Sequence, residues 1–266
     1  MEKYITINSK EKIIRKSNEL TQSNLSNFNK EFETNNCNID IETDKNSFFR
    51  KLGRDFFMTD AVDLAKQLLN KLIVRKVDDE TLIFRIVETE AYMGPEDKAC
   101  HAYNNKKTDR TKYFWTIGGS VYVFNIYMPT HYCFNIVANE EELPQAVLIR
   151  AVEPYDSKTL LAVKKAKNKL KSNDNPSLFN GPAKAGVAMR IDKSFNGIDL
   201  CNSDEIFLTE NEKIINYEIE TSKRINIDYA QEYINKEWRF FVKNNEYVSK
   251  APKSFNKKKI YTNYKK

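Results

Sequence analysis

The sequence predicts an α+β fold, in which one mixed domain is built around a largely antiparallel β-sheet. Short apolar runs follow one another across turn residues, which is typical of β-hairpins. Helical patterns are few and do not alternate regularly with the strands, as a doubly wound parallel fold would require. Hydrophobic residues make up 41% of the chain and aromatic residues 12%, which is enough apolar material for one core.

The first predicted elements are a helix and a β-hairpin. The stretch "TDAVDLAKQLLNKL" carries apolar residues at helical spacing, behind Thr59 or Asp60 as the N-cap. The apolar runs "KLIVRKV" and "TLIFRIVETEAY" then flank an Asp-Asp-Glu turn. Two antiparallel strands joined by a tight turn are therefore expected here.

The remaining predicted elements alternate less regularly between strand and helix. In chain order they are a strand pair "GGSVYVFNIY" and "HYCFNIV" around the turn "MPT", a strand "PQAVLIRAVEP", a polar-faced helix "SKTLLAVKKAKNKL", a loop "NDNPSLFNGP", a short helix "AKAGVAMRI", and three short strands within "EIFLTE", "INYEIETSK" and "EWRFFVK". No internal repeat is present.

The globular domain is expected to span residues 46–250. Residues 1–45 are rich in Asn, Ser, Lys and Glu without a sustained apolar period, so they are predicted to form a largely disordered N-terminal extension. Residues 251–266 form a basic, lysine-rich tail. Because the charges of residues 50–249 cancel, the net charge of +6 belongs mainly to this tail. The tail is either a solvated end or a segment that attracts phosphate.

Several classes of protein are disfavoured by what the sequence lacks. It contains no apolar run of about eighteen residues and no secretory leader, so we expect an intracellular protein without membrane contact, nuclear if the source is eukaryotic and cytoplasmic otherwise. The four cysteines lie far apart, which favours free thiols over a disulfide frame or a zinc site. Phosphate-binding glycine loops, a serine nucleophile elbow and the zinc-deaminase signature are absent, and no metal site is expected.

The second strand of the first hairpin ends in polar residues. Strand alternation places Glu88, Glu90 and Tyr92 on one face, running out towards an edge of the sheet. A carboxylate beside a core is costly unless it is paired or used. One interpretation is therefore an ion pair with Arg85 or Arg150, or simple exposure at the strand end.

A ligand pocket is the other interpretation of this region. Glu90 is followed on its face by Tyr92 and, after a Gly-Pro turn, by His101. A carboxylate, a phenol and an imidazole could together hold a planar ligand that forms hydrogen bonds. A sugar hydrolase with two catalytic carboxylates is less favoured, because Glu88 and Glu90 would project in parallel, ~7 Å apart at a rise of about 3.3 Å per residue.

The second strand pair is rich in aromatic residues, most of which are expected in the core. Tyr127 differs because it directly precedes the turn. An aromatic side chain at an exposed tip is unfavourable unless something covers it. A wedge that enters a base step of DNA would give such a side chain a role.

Six collinear motifs resemble the alkyladenine (3-methyladenine) DNA glycosylases, from about Arg50 to Lys250. The motifs are "FFMTDAVDLAKQLLNKLIVRK", "RIVETEAYMGPEDKACHAY", "VYVFNIY…HYCFNIV", "PQAVLIRAVEP", "NGPAKAGVAMRID" and "RINIDYA…WRFFVK". The resemblance implies a single mixed domain around a curved antiparallel β-sheet with peripheral helices, whose β-hairpin inserts into the minor groove of DNA.

The same resemblance implies roles for individual residues. Glu90 corresponds to the general base that activates the attacking water, and Arg150 and the backbone carbonyl near Ile227 correspond to groups that hold that water. The other corresponding residues are Tyr92, His101 and Phe124 as walls of the base pocket, Asn135 as an obstacle to the exocyclic amino group of guanine, Tyr127 as the side chain that fills the vacated stack, and Lys184 as a phosphate contact.

The implied activity is excision of alkylated purines, of the 3-methyladenine and 7-methylguanine type, from double-stranded DNA. Rotating a base out of the duplex costs a few kcal/mol, and less when the base is damaged. A purine alkylated at N3 or N7 is cationic and stacks well on electron-rich rings. An ionised carboxylate then deprotonates water and stabilises the developing sugar cation. We expect a monomer that needs no cofactor and, because no lysine falls in the matched pocket, has no lyase activity.

The sequence departs from the family pattern at four places, one of which is the stretch "KKTDRTKYFW", where the family usually has R-T-x-R-N. Phe124 stands where the family often has Tyr, Met128-Pro129-Thr130 lengthens the hairpin tip, and Asn226 replaces a usual Gly. Two alternatives stay open: a non-catalytic module that binds damaged DNA, and a small-molecule N-ribosyl hydrolase.

Overall fold

The computed structural model describes residues 49–127, 131–173, 175–213 and 216–250. All of them belong to one compact unit, Phe48–Lys266. The expected N-terminal extension and lysine tail, and the hairpin tip at residues 128–130, lie outside the described residues.

An antiparallel sheet dominates the described part of the chain. Its eight strands there are β1 (Leu72–Val77), β2 (Glu80–Tyr92), β3 (Val121–Tyr127), β4 (His131–Ala138), β5 (Gln145–Pro154), β6 (Ile206–Thr209), β7 (Ile219–Ser222) and β8 (Arg239–Val242). The main order is β3-β4-β5-β2-β1-β6, and β8 pairs with β2 on one side and with β7 on the other. This arrangement confirms the α+β prediction and both predicted hairpins.

Three α-helices accompany the sheet among the described residues: α1 (Ala61–Leu68), α2 (Ser157–Ala166) and α3 (Pro182–Ala188). Asp60 is the N-cap of α1, because its carboxylate accepts hydrogen bonds from the Val62 and Asp63 backbone N–H groups. The hydroxyl of Thr89 on β2 donates to the Ala65 carbonyl at 2.9 Å and fixes this helix on the sheet.

Helix α2 ends earlier than its sequence pattern suggests. It stops at Ala166, and Asn168 adopts a left-handed φ of 52°. The apolar residue that continues the pattern, Leu170, is 55% exposed. The last predicted turn therefore has no core to pack against, and packing decides helical length more than local propensity does.

Helix α3 approaches the sheet more closely than a side chain would allow. A Cβ atom on Gly186 would lie 2.0 Å from the carbonyl oxygen of Tyr132 on β4. Only glycine permits this contact between helix and strand backbone. Pro182, the first residue of α3, lines a cavity described below.

The pairing of β2 with β5 is irregular at the step from Ile86 to Thr89, where the register shifts twice. Ile86 lies opposite Val152, Glu88 opposite Ala151, and Thr89 opposite Ile149. Val87 on β2 and Arg150 on β5 are thus left out of regular pairing, and the register after the step equals the register before it. The polar residues of the candidate site cluster at this step.

Candidate active site

Glu88 and Glu90 lie in the interior of the sheet, which corrects the prediction that they run out to a sheet edge. Both carboxylates are 0% exposed. The second half of β2 is flanked by β5 on one side and by β8 on the other. The prediction was wrong because alternation along β2 does not reveal that β8, about 150 residues later, completes this edge.

Glu90 is surrounded by three hydrogen-bond or charged donors. Its Oε1 accepts from the Ile225 backbone N–H at 2.7 Å, and its Oε2 accepts from the Tyr92 hydroxyl at 3.0 Å. Nη1 of Arg150 lies 3.3 Å from the same Oε2. The carboxylate is therefore held by one residue from each of three separate segments.

Glu88 is held by a denser set of donors. Arg150 Nε and Arg239 Nε donate to its Oε1 at 2.9 and 2.7 Å. The Ser249 backbone N–H donates to Oε2 at 2.7 Å and its hydroxyl to Oε1 at 2.8 Å. Burial by itself raises the pKa of Glu88, but the two arginines and the Ser249 N–H outweigh it and hold the pKa below the usual value.

Arg150 joins the two carboxylates. It is the arginine that the sequence interpretation proposed as an ion-pair partner, whereas Arg85 pairs with Glu153 instead. Burial alone would lower the pKa of Arg150, but the charges of Glu90 and Glu88 raise it. Arg150 also lines a cavity, so it connects the buried carboxylates to open space.

The cavity beside these carboxylates has a volume of about 240 Å³. Its lining is mostly aromatic and aliphatic, with a few polar groups, as in many small-molecule pockets. The residues that line it are Tyr92, Ala99, His101, Phe114, Tyr122, Phe124, Ile126, Cys133, Asn135, Leu148, Arg150, Pro182, Ile225, Asn226, Ile227 and Tyr229. Glu90 is not itself a lining residue, but its carboxylate contacts two residues that are, Tyr92 and Arg150.

One wall of the cavity is a cluster of rings. The His101 Nδ1 lies 2.9 Å from the Tyr122 hydroxyl oxygen, and the His101 ring centroid lies 4.4 Å from that of Phe124. Burial, together with the nearby charges of Arg110 and Lys106, lowers the pKa of His101 to about 4. The imidazole is therefore neutral at physiological pH.

The Tyr92 ring also lines the cavity, and it packs against the arginine of a buried ion pair. The Arg224 guanidinium lies 4.8 Å from the centroid of this ring. Arg224 in turn donates to both oxygens of Asp97, at 2.6 and 2.8 Å, and both side chains are 0% exposed. Burial and the neighbouring Glu90 raise the pKa of the Tyr92 phenol, so it stays protonated and can donate to Glu90.

Two further predicted residues also line the cavity. The Asn135 amide nitrogen donates to the carbonyls of Tyr122 and Cys133, at 2.9 and 3.5 Å, which fixes the orientation of the side chain. The Ile227 carbonyl accepts from the Ala230 N–H at 2.8 Å. A carbonyl oxygen has two lone pairs, so this bond leaves capacity for a second donor. Asn226, which precedes Ile227, adopts a left-handed φ of 61°, a conformation that suits the usual Gly.

The two residues predicted to contact DNA directly are Lys184 and Tyr127. Lys184 is exposed on α3, where its Nζ donates to the Asn180 side-chain oxygen at 2.8 Å. Burial and the nearby charge of Lys184 lower the pKa of Lys167. Tyr127 is the last residue of β3, and its side chain lies outside the described part of the structure.

Sequence reasoning missed Arg224, Arg239, Ser249 and Tyr122 as parts of this site. The first three reach the site from segments more than 90 residues away from their partners. Tyr122 occurs among strand aromatics whose pattern does not separate core residues from cavity residues. Its alternation with Phe124 on β3 is the signal that could have identified it.

The described residues give no sign of a metal centre or a membrane span. They contain no group of three or more His, Cys, Asp or Glu side chains that could hold a metal ion. Within the same ranges, no helix has the length and apolar character needed to cross a bilayer.

Comparison with known proteins gives consistent matches over the same part of the chain. The profile of a family described as methylpurine-DNA glycosylase (MPG) matches residues 55–246. The chain is 50% identical over 199 residues to a protein of Natranaerobius thermophilus, 46% over 205 residues to one of Clostridium novyi, and 45% over 200 residues to one of Borrelia garinii. These matches cover 75%, 76% and 75% of this chain and 98%, 99% and 100% of the relatives. All three relatives carry the provisional name 3-methyladenine DNA glycosylase.

Proposed function

Because the chain belongs to the methylpurine-DNA glycosylase family, we propose that it flips alkylated purines of the 3-methyladenine and 7-methylguanine type out of duplex DNA and hydrolyses their N-glycosidic bond. The observation that carries this proposal is the placement of Glu90 behind an aromatic cavity, held by Tyr92, Arg150 and Ile225. An acid–base group next to a pocket for a planar ligand is what base excision requires.

The cavity suits a flat, cationic base. Tyr92, His101 and Phe124 offer ring surfaces, and a purine alkylated at N3 or N7 gains from contact with electron-rich rings. The low pKa of His101 keeps its imidazole neutral, so it does not repel a cationic ligand. Asn135, fixed by two carbonyls, stands as the proposed obstacle to the exocyclic amino group of guanine.

Hydrolysis needs one water and one base. The water gives a proton to Glu90, and its oxygen forms a bond to C1′ of the sugar as the bond from C1′ to the purine nitrogen breaks. The electron pair of the broken bond leaves with the purine, which departs neutral if it was cationic. We assign the orientation of the water to Arg150 and the Ile227 carbonyl, which both line the cavity, and the stabilisation of the positive charge that develops on the sugar to the Glu90 carboxylate.

Access to a base within a duplex requires DNA contacts outside the cavity. We assign Tyr127, at the end of β3, to the vacated base stack, so that the β3–β4 hairpin enters the minor groove. Lys184 is exposed next to the cavity residue Pro182, and Lys167 adds a second positive charge nearby. We assign Lys184 to a contact with a DNA phosphate, which the neighbouring positive charge of Lys167 would favour.

The proposed enzyme is monofunctional. A lyase step would require an amine that forms a Schiff base with the sugar. No lysine is present among the described residues that line the cavity. We therefore expect an abasic site with an intact strand as the product.

The decisive test is single-turnover base release from a methylated duplex. Glu90→Gln should abolish release while the affinity for a duplex with an abasic-site analogue changes little, because the variant keeps the shape of the side chain and loses the base. A matched control is Glu153→Gln, which removes a carboxylate from the same strand pair without touching Arg150. Release by Glu90→Gln at the wild-type rate would contradict the proposal.

The complete burial of Glu90 is the one observation that favours a second candidate, a non-catalytic module that binds damaged DNA. A base must meet water, and Glu90 does not itself line the cavity. Lesion binding without any base release by the wild-type chain would support this candidate. Release of purines from free nucleosides, with no loss in Tyr127→Ala, would instead support a small-molecule hydrolase.

A further inference from the structure

We propose that Glu88 is a positioning residue, which fixes the guanidinium of Arg150 and through it the orientation of Glu90. This inference rests on the proposed function, since it assigns the support of the same catalytic group. Strand alternation alone puts Glu88 and Glu90 on the same face of β2 and does not distinguish their roles.

Glu88 fills its acceptor positions with donors from three other segments. Arg150 comes from β5, Arg239 from β8, and Ser249 from the chain that follows β8. Four donor atoms lie between 2.7 and 2.9 Å from its two oxygens. With the side chain 0% exposed, no water competes for these positions, so the carboxylate is held in one orientation.

The planar guanidinium of Arg150 transmits this orientation. Nε donates to Glu88 at 2.9 Å, Nη2 donates to the Ser249 hydroxyl at 3.4 Å, and Nη1 lies 3.3 Å from Glu90 Oε2. Because the three nitrogens share one plane, fixing Nε and Nη2 also fixes the direction of Nη1. Glu88 and Ser249 therefore determine how Arg150 approaches the proposed base.

Arg239 anchors the far side of Glu88. Its Nε donates to Glu88, its Nη1 to the Ser222 hydroxyl on β7 at 3.0 Å, and its Nη2 to the Ser249 carbonyl at 2.8 Å. The two carboxylates and two arginines carry no net charge together. A buried ionic network of this kind stabilises a fold weakly, because desolvation offsets the attraction between its charges. The network is relevant to the site because one of its members, Arg150, lines the cavity.

The charges around the two carboxylates predict a change in the pH dependence of base release, which a purely structural role of Glu88 would not cause. Glu90 faces Arg150 and Tyr92, with Arg224, Tyr229 and Cys133 nearby. Glu88 faces Arg150 and Arg239. Removing the negative charge of Glu88 favours the ionised form of Glu90, whereas removing the positive charge of Arg239 disfavours it.

The experiment measures single-turnover base release from a methylated duplex, at saturating protein, across the acidic and neutral pH range. Glu88→Gln should move the acid limb of the rate profile to lower pH, and Arg239→Met should move it to higher pH. Both should lower the plateau rate by roughly a hundredfold, the order expected when a reacting group is misplaced by about 1 Å. Binding to an abasic duplex should stay within about threefold, because neither residue lines the cavity.

Glu153→Gln, on the same two strands, should leave the profile unchanged. Acid limbs that stay in place or move in the same direction would overturn the proposal, as would an unchanged plateau. If neither charge variant folds, Ser249→Ala decides: a lower plateau rate with unchanged binding supports the role, and an unchanged rate overturns it. Absence of base release by the wild type would refute the proposed function itself. If the wild type releases the base and Glu90→Gln does not, the proposed function stands, and the Glu88 variants then test the role of Glu88 alone.

Discussion

The ion pair beneath Tyr92 gives the sharpest stability prediction, for the substitution Asp97→Asn. Asp97 accepts from both terminal nitrogens of Arg224, and also from the Met93 and Ala99 backbone N–H groups at 3.1 and 3.0 Å. Asparagine keeps the shape but replaces one oxygen by an NH2 group. That group would face donors only, and the guanidinium would lose its counter-charge.

The expected loss of stability follows from the burial of this pair. Both side chains are 0% exposed, and removal of one partner from a buried pair costs about 3–5 kcal/mol. For a domain of roughly 150–250 residues, each kcal/mol lowers Tm by about 2–4 °C. Asp97→Asn should therefore lower Tm by about 6–20 °C at neutral pH. The Tyr92 wall should also loosen, because Arg224 supports its ring.

Thermal unfolding followed by circular dichroism measures this loss. The matched control is Glu80→Gln, which removes the partner of Arg190 where the two side chains are 40% and 29% exposed. An exposed pair contributes at most about 1 kcal/mol, so the control should stay within about 4 °C of wild type. An Asp97→Asn protein that melts in the range of the control would refute the argument that burial makes this pair indispensable.

Four further predictions concern the cavity and its supports. The His101 ring should titrate with an apparent pKa of about 4 in an NMR titration, because burial and two nearby cations disfavour its charged form; a value near 6.5 would contradict this. Tyr92→Phe should slow single-turnover base release by about ten- to a hundredfold with little effect on lesion binding, because it removes a hydrogen bond of about 1.5–3 kcal/mol to the Glu90 carboxylate. Gly186→Ala should lower the free energy of unfolding in urea by about 1–3 kcal/mol, because the new Cβ meets a strand carbonyl; wild-type stability would show that the helix can move away. Glu88→Gln should lose less stability than wild type on acidification. Folding lowers the pKa of Glu88 from its usual value of 4.5. The ionised Glu88 carboxylate therefore contributes fully to the free energy of unfolding above pH 4.5, and this contribution is lost as the pH falls through the lower pKa of the folded protein. Urea unfolding at a series of pH values checks this, and parallel curves would contradict it.

Local patterns predicted most of the fold. The Asp60 cap, both hairpins and the strand in β5 follow from turn residues and apolar spacing, which act within a few positions along the chain. The length of α2 did not follow, because it depends on whether Leu170 finds a surface to pack on. Propensity sets where an element can form, and packing sets where it stops.

The candidate site was predictable only in part. Glu90, Tyr92 and His101 lie close together along the chain, so their clustering could be predicted, and the structure brings Phe124 and Asn135 to the cavity that Tyr92 and His101 line. The supports of that site could not be predicted. Arg239 and Ser249 meet Glu88 across more than 150 residues, and no periodicity in the sequence reports a contact at that distance.

The matched irregularity of β2 and β5 makes the lengths of these two strands interdependent. Val87 and Arg150 are each left out of regular pairing, and the register is the same on either side of them. Loss of either residue alone would shift the rest of its strand by one position and turn every following side chain to the opposite face. A single-residue insertion or deletion in either strand would therefore disturb the site, whereas matched changes in both strands would keep the register. A designer who transplants Glu90 and Arg150 onto another sheet would have to transplant both irregularities with them.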